Sequence, residues 1–427
     1  MGASIRNERG SIIILMTVFL LILLGFVALG TEAGRWYLVR AELSKSVDAA
    51  ALAGARNLAN PHVDPAVLAR EFGVENFPAG SHGSGTNGGA ASFSAQFIDT
   101  DRLNVDGQAT AIPVFNGLVG FDGVSVNSSA QAQKREAEIM MILDRSGSMG
   151  MSAPGGHTAI SDLRTAAKSF VGFFAATQDR DKVGMVSFST TARLDRALGT
   201  NFVTSMTNAI NAMQAEGYTD TEDAVDMADG TGGFTDQTGL PGERHVQQFA
   251  VFFSDGMPTA FHDQFMVNGV TYDAIVRAST NSVGGCAGFG DNMRLVNALT
   301  GQELAVYAVP TGDGKPLAMS ACGRTTTRWF AFDSVPVPGY APTACSIPAT
   351  ALDNYFCGES KRRAIAHAAE LKAKGVIVFV IGLGNVDRTF LGQMATSAQF
   401  VYYTPDSSQL LSLFQQVAQQ IQLRLVM

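Results

Sequence analysis

The stretch Ile139-Met140-Met141-Ile142-Leu143-Asp144-Arg145-Ser146-Gly147-Ser148 decides the fold. Five apolar residues in a row, without Gly or Pro, predict a strand buried on both faces, as in a parallel sheet covered by helices. A second such run, Phe249-Ala250-Val251-Phe252-Phe253, leads through Ser254 to Asp255. Ligands of open parallel sheets bind beyond the carboxyl ends of the strands, so Asp144 and Asp255 are expected to converge although far apart in sequence. Asp144, Ser146 and Ser148 alternate along a turn that Gly147 lets close tightly, and Thr219 is expected to enter from a separate loop. Two carboxylates and three hydroxyls form a hard, oxygen-only donor set. It suits Mg²⁺, with Mn²⁺ or Ca²⁺ as alternatives, and leaves coordination positions for an outside ligand. The expected metal residues are therefore Asp144, Ser146, Ser148, Thr219 and Asp255. A plainer reading of the triplet makes Asp144 and Ser146 caps of the next helix.

The surrounding periodicity predicts an α/β, doubly wound, mostly parallel sheet. Ile160–Ala176 carries Leu163, Ala167, Phe170, Val171 and Phe174 at helical spacing, and Val183–Phe188 follows as a strand. Ala192–Leu198 reads as a short edge strand, and Val203–Ala215 and Thr221–Ala228 as helices. Lys361–Lys374 is a helix closed by Gly375, and the apolar run from Val376 to Gly382 is a buried strand. Asp387–Thr396, Phe400–Tyr403 and Ser407–Leu425 complete a helix, strand, helix ending.

The Asp-x-Ser-x-Ser run, the loop Gly217-Tyr218-Thr219-Asp220-Thr221 and the turn Ser254-Asp255-Gly256 together resemble the metal-ion-dependent adhesion site of von Willebrand factor A domains. The resemblance runs from about Glu138 to the C-terminus and occupies each position of the motif. It implies a Rossmann-like fold and recognition of a protein partner that supplies a carboxylate to the metal.

One segment interrupts this order. Residues 258–360 form an insertion far longer than the usual connection between sheet elements, so a subdomain or long lid is expected, starting on the metal-bearing face. Phe265–Tyr272 reads as a hairpin around Asn268-Gly269, with further strands at Leu304–Val309 and Thr327–Phe332. All four cysteines, Cys286, Cys322, Cys345 and Cys357, lie inside it. Disulfide staples of an oxidising compartment are expected, three pairings are open, and buried free thiols are the alternative.

At the other end, Gly10–Thr31 is uncharged and apolar apart from its ends, long enough for a single membrane span. A cleaved signal peptide competes, since Arg6 and Arg9 precede the run and Ala28-Leu29-Gly30 offers small residues. The length of the run favours retention. Basic residues flank both sides, and the cysteines place the C-terminal bulk outside the cytoplasm. Trp36 and Tyr37 suit an interfacial anchor, and Leu43–Leu58 continues as an Ala-rich helix. Gly30 and Gly34 offer a close helix–helix contact, and a stiff stalk needing no partner is the other reading. Gly80–Gly89 reads as a flexible loop. Ala91–Gln133 is expected to be a small β-rich module, with a hairpin at Asp106-Gly107 between Leu103 and Ile112 and a strand at Val124–Ala132. The expected division is thus a stalk over 1–59, a β-rich module over 60–135, and the α/β domain over 136–427.

Glu8-Arg9-Gly10, the apolar span, Gly34-Arg35-Trp36-Tyr37 and the run from Ser46 to Ala55 resemble the N-terminal segment of TadG-like proteins of the tight-adherence (Tad/Flp) pilus assembly system. The resemblance implies a bacterial inner-membrane protein, single-pass, with its bulk in the periplasm or at the cell exterior, working with other pilus assembly proteins. Gly10 is followed by Ser11-Ile12-Ile13-Ile14-Leu15, without the Glu that pilins carry at the fifth place, so the span is expected to be retained.

A net charge of −8 and a pI of 5.3, without a sustained basic cluster, argue against nucleic acid as a partner. No His–Glu ligand motif, Walker loop or nucleophile elbow is present. His157 reads as a solvated loop residue, and Gly382-Leu383-Gly384-Asn385 as a turn rather than a dinucleotide site. The expected function is non-enzymatic, metal-dependent binding. A structural pilus subunit acting through its N-terminal helix is the runner-up, and a metal-dependent hydrolase a distant third.

Overall fold

The computed structural model describes residues 9–58, 63–77, 91–98, 102–114, 123–152, 156–240, 245–267, 270–278, 292–308 and 349–425. They belong to two compact units, residues 1–135 with 422–427 and residues 136–421.

The first unit is built on α1 (Arg9–Arg56), one 48-residue helix. Its N-terminal half exposes apolar side chains, Leu15 at 73% and Phe26 at 71% among them. It is the one helix among the described residues long and apolar enough to cross a membrane. Its C-terminal half buries Val39, Leu43, Val47, Ala50, Ala51 and Ala55, a stripe at helical spacing. That stripe packs on a three-stranded antiparallel sheet of β1 (Ser92–Phe97), β2 (Arg102–Ala111) and β3 (Val124–Gln133), and on α2 (Pro65–Asn76). The segment expected to be a stalk therefore shares one core with the β-rich module.

The expected hairpin at Asp106-Gly107 is not there. β2 runs straight through both residues and pairs antiparallel with β1, and beyond that pairing the Ile98 amide donates to the Arg102 carbonyl. Gly107 serves closeness instead of turning: a Cβ there would lie 2.5 Å from Val47 Cγ2 and 3.1 Å from Leu43 Cδ1. α1 can approach the sheet only over a residue without a side chain.

The second unit carries a six-stranded sheet in the order β13-β12-β7-β4-β5-β6, with β4 (Ala137–Asp144), β5 (Lys182–Phe188), β6 (Ala192–Gly199), β7 (Gln247–Ser254), β12 (Ile377–Leu383) and β13 (Val401–Thr404). All pairings are parallel except that of the edge strand β6. Every residue of β4 is buried, the apolar run Ile139–Leu143 together with Glu138 and Asp144 at its two ends. Met140, Ile142, Val186, Phe252 and Val380 share one core with α5 (Thr221–Asp229), α6 (Ala349–Ala373) and α7 (Arg388–Met394). On the other face Phe253 and Phe170 meet Phe414, which joins α3 (Ala159–Phe173) to α8 (Leu410–Arg424) across the sheet. α4 (Val203–Ala212) packs beside α3. The sheet is doubly wound.

Within the long segment after Asp255, β8 (Ala260–Val267), β9 (Val270–Arg277), β10 (Asn292–Asn297) and β11 (Glu303–Ala308) form an antiparallel sheet in the order β11-β10-β9-β8. The expected hairpin over Phe265–Tyr272 is the β8–β9 pair, although its Asn268-Gly269 turn lies outside the described residues. Gly80–Gly89, Thr327–Phe332, Cys286, Cys322 and Cys345 also lie outside them. α6 begins at Ala349 rather than Lys361, and Phe356, Cys357 and Ser360 are buried along its added turns. Cys357 is disulfide-bonded.

Candidate metal centre

β4 and β7 are neighbours in the sheet, so their carboxyl ends bring Asp144 and Ser254 together. Ser254 Oγ donates to Asp144 Oδ2 at 2.6 Å, and the Ser146 amide donates to Asp144 Oδ1 at 2.8 Å. From there a chain of oxygens runs outward. Ser146 Oγ and Ser148 Oγ are 3.0 Å apart, and Ser148 Oγ donates to Asp255 Oδ1 at 2.8 Å. Asp144 is fully buried and Ser146 nearly so, whereas Ser148 and Asp255 are half-buried at the rim. Ser146 does occupy the cap position of a short helical turn at Gly147–Gly150, but its side chain makes no capping bond. Its hydroxyl faces Ser148 instead.

The loop carrying Thr219 is seated against the same turn by its backbone. The Gly147 amide donates to the Gly217 carbonyl at 3.1 Å, and the Glu216 amide to the Arg145 carbonyl at 2.9 Å. Arg145 itself is buried and points away from the carboxylates, with Nε on Ser187 Oγ at 3.2 Å and Nη1 on Glu216 Oε1 at 2.6 Å. Gly217 has φ +72, and a Cβ there would meet Thr190 Oγ1 at 2.4 Å, so the loop's path requires glycine. Thr190 Oγ1 in turn accepts the Tyr218 amide.

Two residues outside the expected set matter here. Besides Ser254, Thr259 clasps Thr219: its Oγ1 accepts the Thr219 amide at 2.7 Å, and its own amide donates back to the Thr219 carbonyl at 2.9 Å. The start of the inserted sheet is therefore seated against the Thr219 loop, with a further bridge between Asp220 and Ala260. No local pattern marks Thr259. Ser254 is signalled only by standing next to Asp255 at a strand end.

The electrostatics are those of a negative site that meets no paired counter-charge among the described residues. Burial, and then the charge of Asp144, push Asp255 up to about 7. Burial also raises Asp144, against the hydrogen bonds from Ser146 and Ser254. Among the described residues no Lys, Arg or His pairs with either carboxylate, and His157 is exposed. Nor does any cluster of three or more His, Cys, Asp or Glu among them offer a metal site. What this arrangement can offer a hard cation is two carboxylates plus hydroxyls.

Two family models match the chain. Residues 10–57 match the Flp pilus-assembly TadE/G-like model, and residues 139–257 match the von Willebrand factor type A domain. The chain joins a TadE/G-like segment to a von Willebrand factor A domain. The second match ends at the residue before the inserted segment. Among solved structures, the von Willebrand factor domain of the type V pili tip protein Mfa5 from Porphyromonas gingivalis is similar at 17% identity and a TM-score of 0.40, over 68% of this chain and 97% of that one. The PilB minor pilin from Streptococcus sanguinis is similar at 15% identity and a TM-score of 0.41, over 79% of each chain. Proximal thread matrix protein 1 from the mussel byssus is similar at 13% identity and a TM-score of 0.35, over 68% of this chain but only 46% of that one. No curated protein matches the chain.

Proposed function

We propose that this protein is a membrane-anchored, non-enzymatic recognition component of a Tad/Flp-type pilus assembly apparatus. Its α/β domain binds a partner protein through a divalent cation, Mg²⁺ by the chemistry of the donors, held by Asp144, Ser146, Ser148, Thr219 and Asp255. A carboxylate of the partner completes the metal's shell. The observation that carries this reading is the run of oxygens from buried Asp144 through Ser146 and Ser148 to Asp255, drawn from two strand ends and paired with no basic side chain among the described residues. A cation supplies the missing charge and accepts hard oxygen donors. The match of residues 10–57 supports the pilus setting. The exposed apolar half of α1 supports a single span of the bacterial inner membrane, and the disulfide at Cys357 supports a periplasmic or exterior location for the domain.

The test uses the full-length chain in detergent. Calorimetric titration with Mg²⁺, and capture of envelope proteins with and without it, should both give signals that Asp144→Ala removes while the chain still folds. Equal capture in excess chelator would refute the metal-dependent reading. A second reading, a structural subunit working through its N-terminal helix, is favoured by Gly30 and Gly34, where an added Cβ would meet nothing within 4 Å, leaving that face open to a partner helix. It would gain if bulky residues at those two positions abolished assembly while Asp255→Ala left assembly intact.

A further inference from the structure

Arg277 stands at the end of β9, where the inserted sheet meets the Thr219 loop. The strands there run side by side: Asp220 bridges to Ala260, and Ala260 pairs with Arg277. Neighbouring strands are about 4.8 Å apart, so the Arg277 backbone lies about 10 Å from that of Asp220, within reach of an arginine side chain. The next residue fixes the placement, because the Ala278 amide donates to the carbonyl of Thr259, the residue that clasps Thr219. The side chain then returns toward the site. Its guanidinium carbon lies 5.1 Å from the centre of the Tyr218 ring, and Tyr218 directly precedes Thr219.

What sets Arg277 apart is what it does not bind. Arg145 holds Glu216, Arg294 holds Glu303, and Arg363 holds Asp263 and Glu359. Among the described residues Arg277 makes no side-chain hydrogen bond and no ion pair, and its Nε is buried without an acceptor. A guanidinium carries five donors in a rigid fork that matches carboxylate geometry, and stacking on a ring holds that fork without consuming a donor. Leaving a buried donor unmet is unfavourable, and an incoming anion relieves it.

We propose that Arg277, held on the Tyr218 ring, is a specificity-determining residue of this site, and that the segment it recognises presents a second acidic side chain beside the one that meets the metal. The inference rests on the metal-dependent reading and names the class of its ligand: an acidic pair on one face of an extended peptide. Positions two apart in such a peptide put side chains on the same face, spaced by about 7 Å. One acid would go to the cation and the other to Arg277.

The experiment measures binding of synthetic peptides to the full-length chain in detergent at saturating Mg²⁺. The probes are a peptide with two aspartates two positions apart and the same peptide with either aspartate replaced by asparagine. Wild-type protein should prefer the two-acid peptide by about tenfold, the scale of one charge-assisted hydrogen-bonded contact. Arg277→Met keeps a long side chain against Tyr218 and removes the fork. It should lose the preference while its Mg²⁺ affinity and thermal midpoint stay at the wild-type values. Equal affinity of the wild type for all the peptides, or a preference that survives in Arg277→Met, would overturn the role of Arg277 and leave the metal-dependent reading standing. If no peptide bound the Mg²⁺-loaded wild type, both would fall.

Discussion

At Asp255 burial and the nearby charge of Asp144 work against ionisation together, and only the Ser148 hydroxyl and a backbone amide work for it. Without a cation this is a local conflict that the fold tolerates. Asp255→Asn keeps the shape, removes one of two buried like charges, and should therefore stabilise the chain in chelator, by on the order of 1–3 kcal/mol. The same substitution should abolish any rise in thermal midpoint on adding Mg²⁺. Thermal unfolding of both proteins in chelator and in Mg²⁺ checks both signs, and a variant less stable than wild type in chelator would contradict the argument. At this scale the convergence of Asp144, Ser146, Ser148 and Asp255 was legible, because apolar runs that end in acids announce strand ends. Thr259 was not, since its partner Thr219 is forty positions away along the chain and nothing local to Thr259 marks the pairing.

Among the elements, strands β4, β7 and β12 could be read from their uninterrupted apolar runs, and α3 from its spacing. α2 was overlooked although Asp64 and Pro65 mark its start, the carboxylate accepting the Ala66 and Val67 amides. The Asp106-Gly107 misreading has a clear cause. A dipeptide rule weighs local turn chemistry, whereas this glycine answers to a helix that arrives from sixty residues upstream. Gly107→Val should force α1 off the sheet and lower stability by roughly 1–3 kcal/mol, the range for overpacking. The midpoint of denaturant unfolding measures it, and an unchanged midpoint would show that the contact yields freely. A second prediction concerns the seat of β8 on α5. Asp223 lies 3.8 Å from His262 Nδ1 and is the main influence raising its pKa to about 9; burial opposes it, and Asp273 at 2.7 Å from Nε2 adds to it. A raised pKa means that the stabilisation is fully present below about 6.5 and is lost as pH rises through about 9. Unfolding midpoints recorded from pH 6 to pH 10 should fall across that window in wild type and fall less in His262→Gln.

For the molecule as a whole, the sequence announced a long apolar N-terminal segment and an α/β domain, and the described residues contain a helix long and apolar enough to cross a membrane and a mostly parallel six-stranded sheet. The joining of the supposed stalk to the β-rich module was hidden, because burial of Val39 through Ala55 depends on strands that follow much later in the chain. If α1 is the anchor, a chain lacking residues 2–31 should leave the membrane fraction under alkaline carbonate extraction, and the full chain should stay. Recovery of both in the pellet would mean that another surface holds the protein there.

α1 also runs without a break from the apolar stretch into the packed core of the first unit. Were the greasy end embedded in lipid, the sheet would have no swivel: whatever lean or roll the rod adopted would be copied one-to-one by the strands riding on its far end. If α1 is the anchor, bilayer thickness, or a neighbour that turns the rod, would become a means of aiming that sheet. A pair of glycines spliced in near Arg35 would unlock that steering while leaving both ends intact.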